Sequence, residues 1–283
     1  MKGLELSAKC DVRGMIFIVV LYAIGAVSVP FEAVARFIGD EPYLVFLSGF
    51  FFKSLCAAIP VYLVFQFKMS GMFSGFKGAV KYLAVLPALV VAIDNFPIVP
   101  LFSGDTTVSA KPVTAICYVL YCLSIGALEE SIFRGNILPL FMYAFGRNKK
   151  GTFWAIICSS AIFGAMHLLN LFGGFSAGVF LQVGYSFLIG AMCAATMLFT
   201  GNIFVPVIIH SLFDIGGFMF DNFGTGTLWT TPNIIVTAIV SVLCAAAIVI
   251  LFVKWDFTPV YESWGLNVYP TDEERARYKS KSY

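Results

Sequence analysis

Six ionisable residues in apolar surroundings are the chemistry-bearing part of this 283-residue chain. Glu129, Glu130 and Arg134 stand in one apolar run, His167 in a second, and His210 with Asp214 in a third. His167 and His210 are the chain's two histidines. Charge at bilayer depth is costly, so an ionisable residue in an apolar span is a functional-site hypothesis by default. Spacing then assigns roles. Glu130 and Arg134 lie four residues apart, about 40° from each other on a helix, with the acid on the favourable N-terminal side. Glu129 is about 100° round from Glu130 and about 140° from Arg134. One carboxylate is set against the arginine, and Glu129 faces elsewhere. His210 and Asp214 are also four apart and share a face.

A carboxylate and a neutral imidazole can together strip a proton from water and return it to a leaving amine. A second polar pair can stabilise the oxyanion formed at an attacked carbonyl. Ser131 and Ser211 adjoin the motifs, but neither lies in a GxSxG-like turn, and no third residue orients a base towards them. Glu129, His167 and His210 also make a two-histidine, one-carboxylate set of the kind that holds catalytic zinc. No local HExxH pair supports that reading. The residues alone leave metal-free glutamate catalysis and metal-assisted hydrolysis both open. The bland alternative is a polar network that holds helices together.

Three separate helices must position these groups, and the composition supplies them. The chain is 59% hydrophobic and 12% charged, against about 25% charged in ordinary soluble domains. Continuous apolar runs of about 20 residues, enough to cross a bilayer core of about 30 Å, predict an all-α polytopic membrane bundle. They exclude the alternating pattern of a β-barrel. Eight spans are read: 14–35, 44–67, 78–101, 113–143, 153–171, 176–199, 203–221 and 232–254. With the N-terminus cytoplasmic, the inner segments hold Lys2, Lys9, Arg13, Lys68, Lys77, Lys81, Arg147, Lys149, Lys150, Lys254, Arg275, Arg277, Lys279 and Lys281. The outer ones hold Arg36 and Lys111. That bias predicts both termini cytoplasmic. The domain plan is a tail at 1–13, one transmembrane domain at 14–255 and a polar cytoplasmic tail at 256–283. The tail's Asp272–Lys279 stretch reads as a solvated helix or disordered end. The first apolar run lacks a clear small-residue cleavage site and does not read as a signal peptide. The seven scattered cysteines read as inert buried thiols. No basic, aromatic-interleaved cluster points to nucleic acid, and no internal repeat points to a transporter.

The motifs Glu129-Glu130-Ser131-Ile132-Phe133-Arg134, Phe163-Gly164-Ala165-Met166-His167 and His210-Ser211-Leu212-Phe213-Asp214 resemble the EExxxR, FxxxH and HxxxN/D signatures of the CPBP family. That family comprises CAAX prenyl-protein peptidases and bacteriocin-processing or self-immunity (Abi) membrane proteins. The resemblance covers about 112–222. It implies an eight-helix intramembrane endopeptidase without a metal, from a family formerly classed as metalloproteases. Glu129 would activate water with help from His167. His210 and Asp214 would hold the oxyanion, and Glu130 and Arg134 would be a structural pair, with Phe163 completing its motif. The chain departs from the prenyl-protein peptidases at Asp214, where they have Asn. An ionised Asp cannot donate to an oxyanion. Asp214 is then either protonated or a residue that orients His210.

The resemblance also implies a membrane-associated protein or peptide substrate. If the chain is bacterial, the site is the plasma membrane, and leader peptides, pheromones or bacteriocins become the substrates. The competing readings are a non-catalytic regulator or bacteriocin-immunity protein of the same fold, and a proton-coupled transporter. Two further intramembrane charges, Lys53 and Asp94, stand outside the motifs. Either they pair within the bundle, or Lys53 snorkels and Asp94 lies near the outer interface.

Overall fold

Helix ends follow the chain's own punctuation. The computed structural model of the protein describes residues 12–29, 35–78 and 80–266. Prolines open several helices, where their missing N–H is no loss. These include α2 (Pro42–Gln66), α6 (Pro112–Ile132) and α11 (Thr231–Lys254). Asn148 caps α8 (Lys149–Met166) through Gly151 N, and Ser176 caps α9 (Ala177–Thr200) through Gly178 N. Gly201 closes α9 with a left-handed φ of 66°, a conformation glycine adopts without strain. The remaining long helices are α1 (Val12–Ser28) and α10 (Phe204–Phe223). Six helical stretches among the described residues are long and apolar enough to cross a membrane, and this is an integral, multi-pass membrane protein.

The sixth helix does not stop at Ile132. It passes through a π turn, Phe133–Ile137, into α7 (Leu138–Phe145), giving a continuous stretch of 34 residues. This stretch is the axis of the bundle. α2 runs along its length, α10 crosses its first half, and α8 and α9 pack around its second half. Gly126 permits the α6–α10 crossing, because a Cβ there would overlap Ser211 Oγ.

The span predicted at 78–101 is not one helix. Among the described residues it is three pieces: α3 (Val80–Leu83), α4 (Leu86–Asp94) and α5 (Ile98–Ser103). Pro87, Pro97 and Pro100 cannot donate the backbone bonds that would join them. The turn between α4 and α5 lodges in a notch of α10. There Asn95 Nδ2 donates to Phe213 O at 2.7 Å, and Gly216 and Gly217 leave room for it. A proline in α2 is handled differently. Pro60 leaves the Cys56 carbonyl without its helical donor, and the Tyr22 hydroxyl of α1 supplies one at 2.5 Å.

Lys53 and Asp94 do not pair. Lys53 is buried on α2 beside the Tyr121 ring, with Nζ 6.0 Å from its centroid. α2 packs on α6 while α4 packs on α10 and α11, so the two charges look into different seams.

A two-stranded antiparallel ribbon, β1 (Thr106–Val108) with β2 (Gly224–Gly226), ties together the loops that precede α6 and follow α10. At the opposite end, the chain after α11 is packed rather than solvated. α12 (Thr258–Ser263) begins beneath Asp256, whose carboxylate accepts from Thr258 N at 2.9 Å. That bond holds the Asp256 carboxyl below its usual range. Phe257, Val260, Tyr261 and Trp264 are buried, and Tyr261 meets Thr152 of α8 through their hydroxyls at 2.5 Å. Burial pushes the Tyr261 phenol upward. The folded unit therefore reaches at least Leu266. The Asp272–Lys279 stretch, most of the N-terminal tail, Cys10 and the Phe31–Val34 stretch after the first apolar run lie outside the described residues.

Candidate active site

Glu129 and Glu130 are neighbours in sequence and opposites in surroundings. The Glu130 side chain is fully buried and that of Glu129 is 15% exposed. Glu130 Oε1 sits 3.0 Å from Arg134 NH1, the i,i+4 pair the spacing predicts. Arg134 is anchored on its other side, with NH2 donating to Gly190 O of α9 at 2.7 Å. The close approach needs a glycine there, since a Cβ on Gly190 would stand 2.9 Å from Phe163 Cδ1 and 3.1 Å from Arg134 NH2. The guanidinium also lies over the Phe163 ring, 4.8 Å from its centroid.

Glu130 is more than a partner for Arg134. The same Oε1 accepts a hydrogen bond from His210 Nδ1 at 2.7 Å. A carboxylate can only accept, so Nδ1 carries the proton and Nε2 is the nitrogen left to act. Nε2 points towards the remaining two acids, 3.6 Å from Glu129 Oε2 and 3.7 Å from Asp214 Oδ1. Sequence reasoning missed the Glu130–His210 bond. A helical wheel places residues on one helix and is silent about what a second helix brings.

His167 is oriented by its own backbone. At the end of α8 the helix tightens into a 3-10 turn, His167–Gly173, and the His167 N–H bonds Gly164 O. The Phe163 carbonyl, released from the α pattern, accepts from His167 Nδ1 at 3.1 Å. A carbonyl cannot donate, so here too Nδ1 holds the proton and Nε2 is the ring nitrogen left free of the backbone. The Phe163 ring makes edge contacts with both imidazoles, at 5.4 Å to His167 and 5.5 Å to His210. The motif phenylalanine thus spaces two histidines and carries the arginine on its face.

An open cleft connects the pieces. Glu129 and His167 line it together with Ile132, Phe163, Met166 and Asn170, and Ala23 and Val27 of α1 form one wall. Glu130 and Arg134 are sealed behind it. Ser131 and Ser211 hydroxyls donate to the Leu128 and Val207 carbonyls of their own helices, and neither bonds an imidazole. Asp214 Oδ2 is buried with no hydrogen-bond partner among the described residues.

Asn136 of the π turn is another residue the sequence reading passed over. It is fully buried, and its Nδ2 donates to Ser131 O at 2.8 Å and to Pro60 O at 3.0 Å. It pins the turn that follows the two glutamates to α2. The signal was present as an asparagine two residues past the arginine in an otherwise apolar run.

No group of three His, Cys, Asp or Glu side chains among the described residues converges closely enough to hold a metal ion.

No curated protein and no solved structure matches the chain. Residues 111–216 match the family described as Type II CAAX prenyl endopeptidase Rce1-like. The match spans all three motifs, from the first turn of α6 to two residues past Asp214, and so covers the helices that carry every residue of the cleft's polar cluster. That match agrees with the resemblance of the three motifs to CAAX-type intramembrane proteases.

Proposed function

We propose that the protein is an intramembrane endopeptidase that cleaves a membrane-associated protein or peptide with water activated by Glu129 and His167, without a metal. The observation that carries this reading is the split between the two glutamates. Glu130 is sealed with Arg134 and His210, while Glu129 and the free face of His167 line one cleft. Water held between them loses a proton to the Glu129 carboxylate, and the hydroxide adds to the scissile carbonyl carbon. His210 Nε2, as the N–H of the imidazolium, faces the oxyanion. The proton held by Glu129 then passes to the amide nitrogen, with His167 as relay, and the C–N bond breaks to give an acid and an amine. Asp214 orients His210 through the Nε2 approach at 3.7 Å.

We also infer eight membrane passages with both termini cytoplasmic, counting α1 and the broken α3–α5 segment with the six long helical stretches. Lys68, Arg147, Lys149 and Lys254 all lie at the end of the bundle where α12 docks, which supports the cytoplasmic assignment.

The test is cleavage of a membrane-tethered peptide library by purified protein in vesicles, alongside Glu129→Ala and His167→Ala, with and without chelator. Loss of cleavage of about a hundredfold or more in both variants is the expected result. Undiminished cleavage by Glu129→Ala would sink the mechanism. Loss on chelation, reversed by zinc, would replace it with a metal-assisted one.

A further inference from the structure

The cleft is better furnished for cutting a peptide bond than for holding a peptide. A peptide that enters a bundle interior brings main-chain N–H and C=O groups that bulk water no longer serves, and each must find a partner. Among the described residues that line the cleft, Ala23, Val27, Ile132, Phe133, Phe163 and Met166 offer apolar side chains. Glu129 and His167 are polar, but the attacking water occupies them in the endopeptidase reading. One lining side chain is left that can both donate and accept, and it is Asn170.

The local backbone decides where Asn170 stands. α8 ends at Met166, and the chain goes on as the 3-10 turn His167–Gly173. Side chains three residues apart eclipse in such a turn, whereas in an α-helix they lie about 60° apart. Asn170 therefore shares the face of His167. A rise of about 2 Å per residue sets it about 6 Å further along. An extended peptide advances about 3.3 Å per residue. A peptide lying along this face, with its scissile carbonyl at His167, has Asn170 level with a residue about two positions away.

The Asn170 amide is held at one corner and open at the rest. Its Nδ2 donates to Gln182 Oε1 of α9 at 2.8 Å. That bond takes one of the two N–H groups and leaves the other, together with Oδ1, on the same planar group. A donor and an acceptor side by side match the C=O and N–H that one residue of an extended chain turns to the same edge. Asn170 is exposed and Gln182 half-buried, so the outer residue meets the peptide and the inner one steadies it.

We propose that Asn170 is a substrate-binding residue of the cleft: it holds the main chain of an extended peptide about two residues from the scissile bond, with Gln182 fixing the plane of its amide. The inference rests on the endopeptidase reading for the class of ligand. Because main-chain groups are what it grips, this subsite sets the register of the peptide and not its sequence.

Binding and cleavage are measured separately, on the full-length protein in vesicles. Peptides from a defined membrane-tethered library are captured on Glu129→Ala protein, which keeps the cleft and lacks the acid that activates water. The backbone nitrogens of a captured peptide are then methylated one at a time, and each version is bound to Glu129→Ala with and without Asn170→Leu. One methylation, about two positions from the bond that the wild-type protein cuts, is expected to weaken binding about tenfold. Asn170→Leu is expected to weaken binding of the parent peptide by a similar factor and to erase the effect of that methylation. Gln182→Leu should weaken binding severalfold and keep the methylation pattern. Unchanged affinity in Asn170→Leu, or the same sensitive position with and without the asparagine, would overturn the subsite. A bond that merely ties the turn to α9 would give that second result, with Tm lowered in Asn170→Leu and Gln182→Leu alike. Failure of every peptide to bind would also overturn it. Captured peptides that the wild-type protein leaves uncut would count against the endopeptidase reading alone.

Discussion

Helices α9 and α11 are each 24 residues long, each almost wholly apolar, and each run the height of the bundle. Within their apolar windows, 67% of α9 is buried inside the protein and 6% of α11. The more hydrophobic of the two is the less buried. In a soluble protein the order would be reversed. In a bilayer the lipid tails are as apolar as leucine, so hydrophobicity alone does not draw helices together, and packing and hydrogen bonds decide which helix is central. α9 carries Gly190, Cys193, Ala194 and Ala195 for close approach, with buried Ser186, Thr196 and Thr200. α11 offers Ile239, Val242, Leu243, Val249 and Ile250 to the outside. The helix that carries none of the motifs but touches Arg134 and Phe163 is central because it is small and slightly polar.

That contrast can be attacked at four points. Glu130→Ala leaves Arg134 and His210 buried without their shared acceptor, and a loss of about 3–5 kcal/mol in unfolding free energy is expected. Chemical unfolding in mixed micelles would measure it. A loss below about 1 kcal/mol would mean that the sealed half of the site is wet. Gly190→Val drives a side chain into Phe163 and the guanidinium, with an expected cost of about 1–3 kcal/mol and lower peptide turnover. The same assay serves, and an unchanged unfolding free energy would show α9 free to move aside. Tyr22→Phe removes the hydroxyl that caps the carbonyl released by Pro60, a loss of about 1–2 kcal/mol. Val242→Ala and Leu243→Ala on α11 are expected to stay within about 0.5 kcal/mol of the parent. If either destabilises as much as Gly190→Val, α11 is covered by something other than lipid, and cross-linking from position 242 would find it.

The class of fold was open to reading because a membrane span is written in simple composition: six of the eight expected spans coincide with helices to within about five residues, and 14–35 overlaps α1, which ends at Ser28. The exception, 78–101, is apolar enough to cross but is interrupted at Pro87, Pro97 and Pro100. Hydropathy sums side chains and does not register a missing backbone donor. The packing of the segment just after Lys254 is hidden from the sequence for a similar reason. Its Phe257, Tyr261 and Trp264 are few among polar neighbours, and only the cradle made by α8 and the 70–73 turn gives them somewhere to go.

At the site, the i,i+4 pair of Glu130 with Arg134 and the separate exposure of Glu129 follow from helical geometry, and the structure has both. The Glu130–His210 bond and the Phe163 ring between the histidines are contacts between helices. One helix's sequence has no means of encoding its angle to another.

The π turn at Phe133–Ile137 has a consequence for how this helix can change. A π turn holds one residue more than the α pattern would. The upstream half aims Glu130 inward, and the downstream half aims Leu138 and Met142 inward. Removing any single residue from the turn would leave a better helix and a worse protein. The turn absorbs its extra residue locally, so the downstream face would be kept, and the loss would be the buried bonds that Asn136 makes to Pro60 and Ser131. A natural relative that lacks one residue in this turn is expected to have a plain α-helix here and another buried group in place of Asn136.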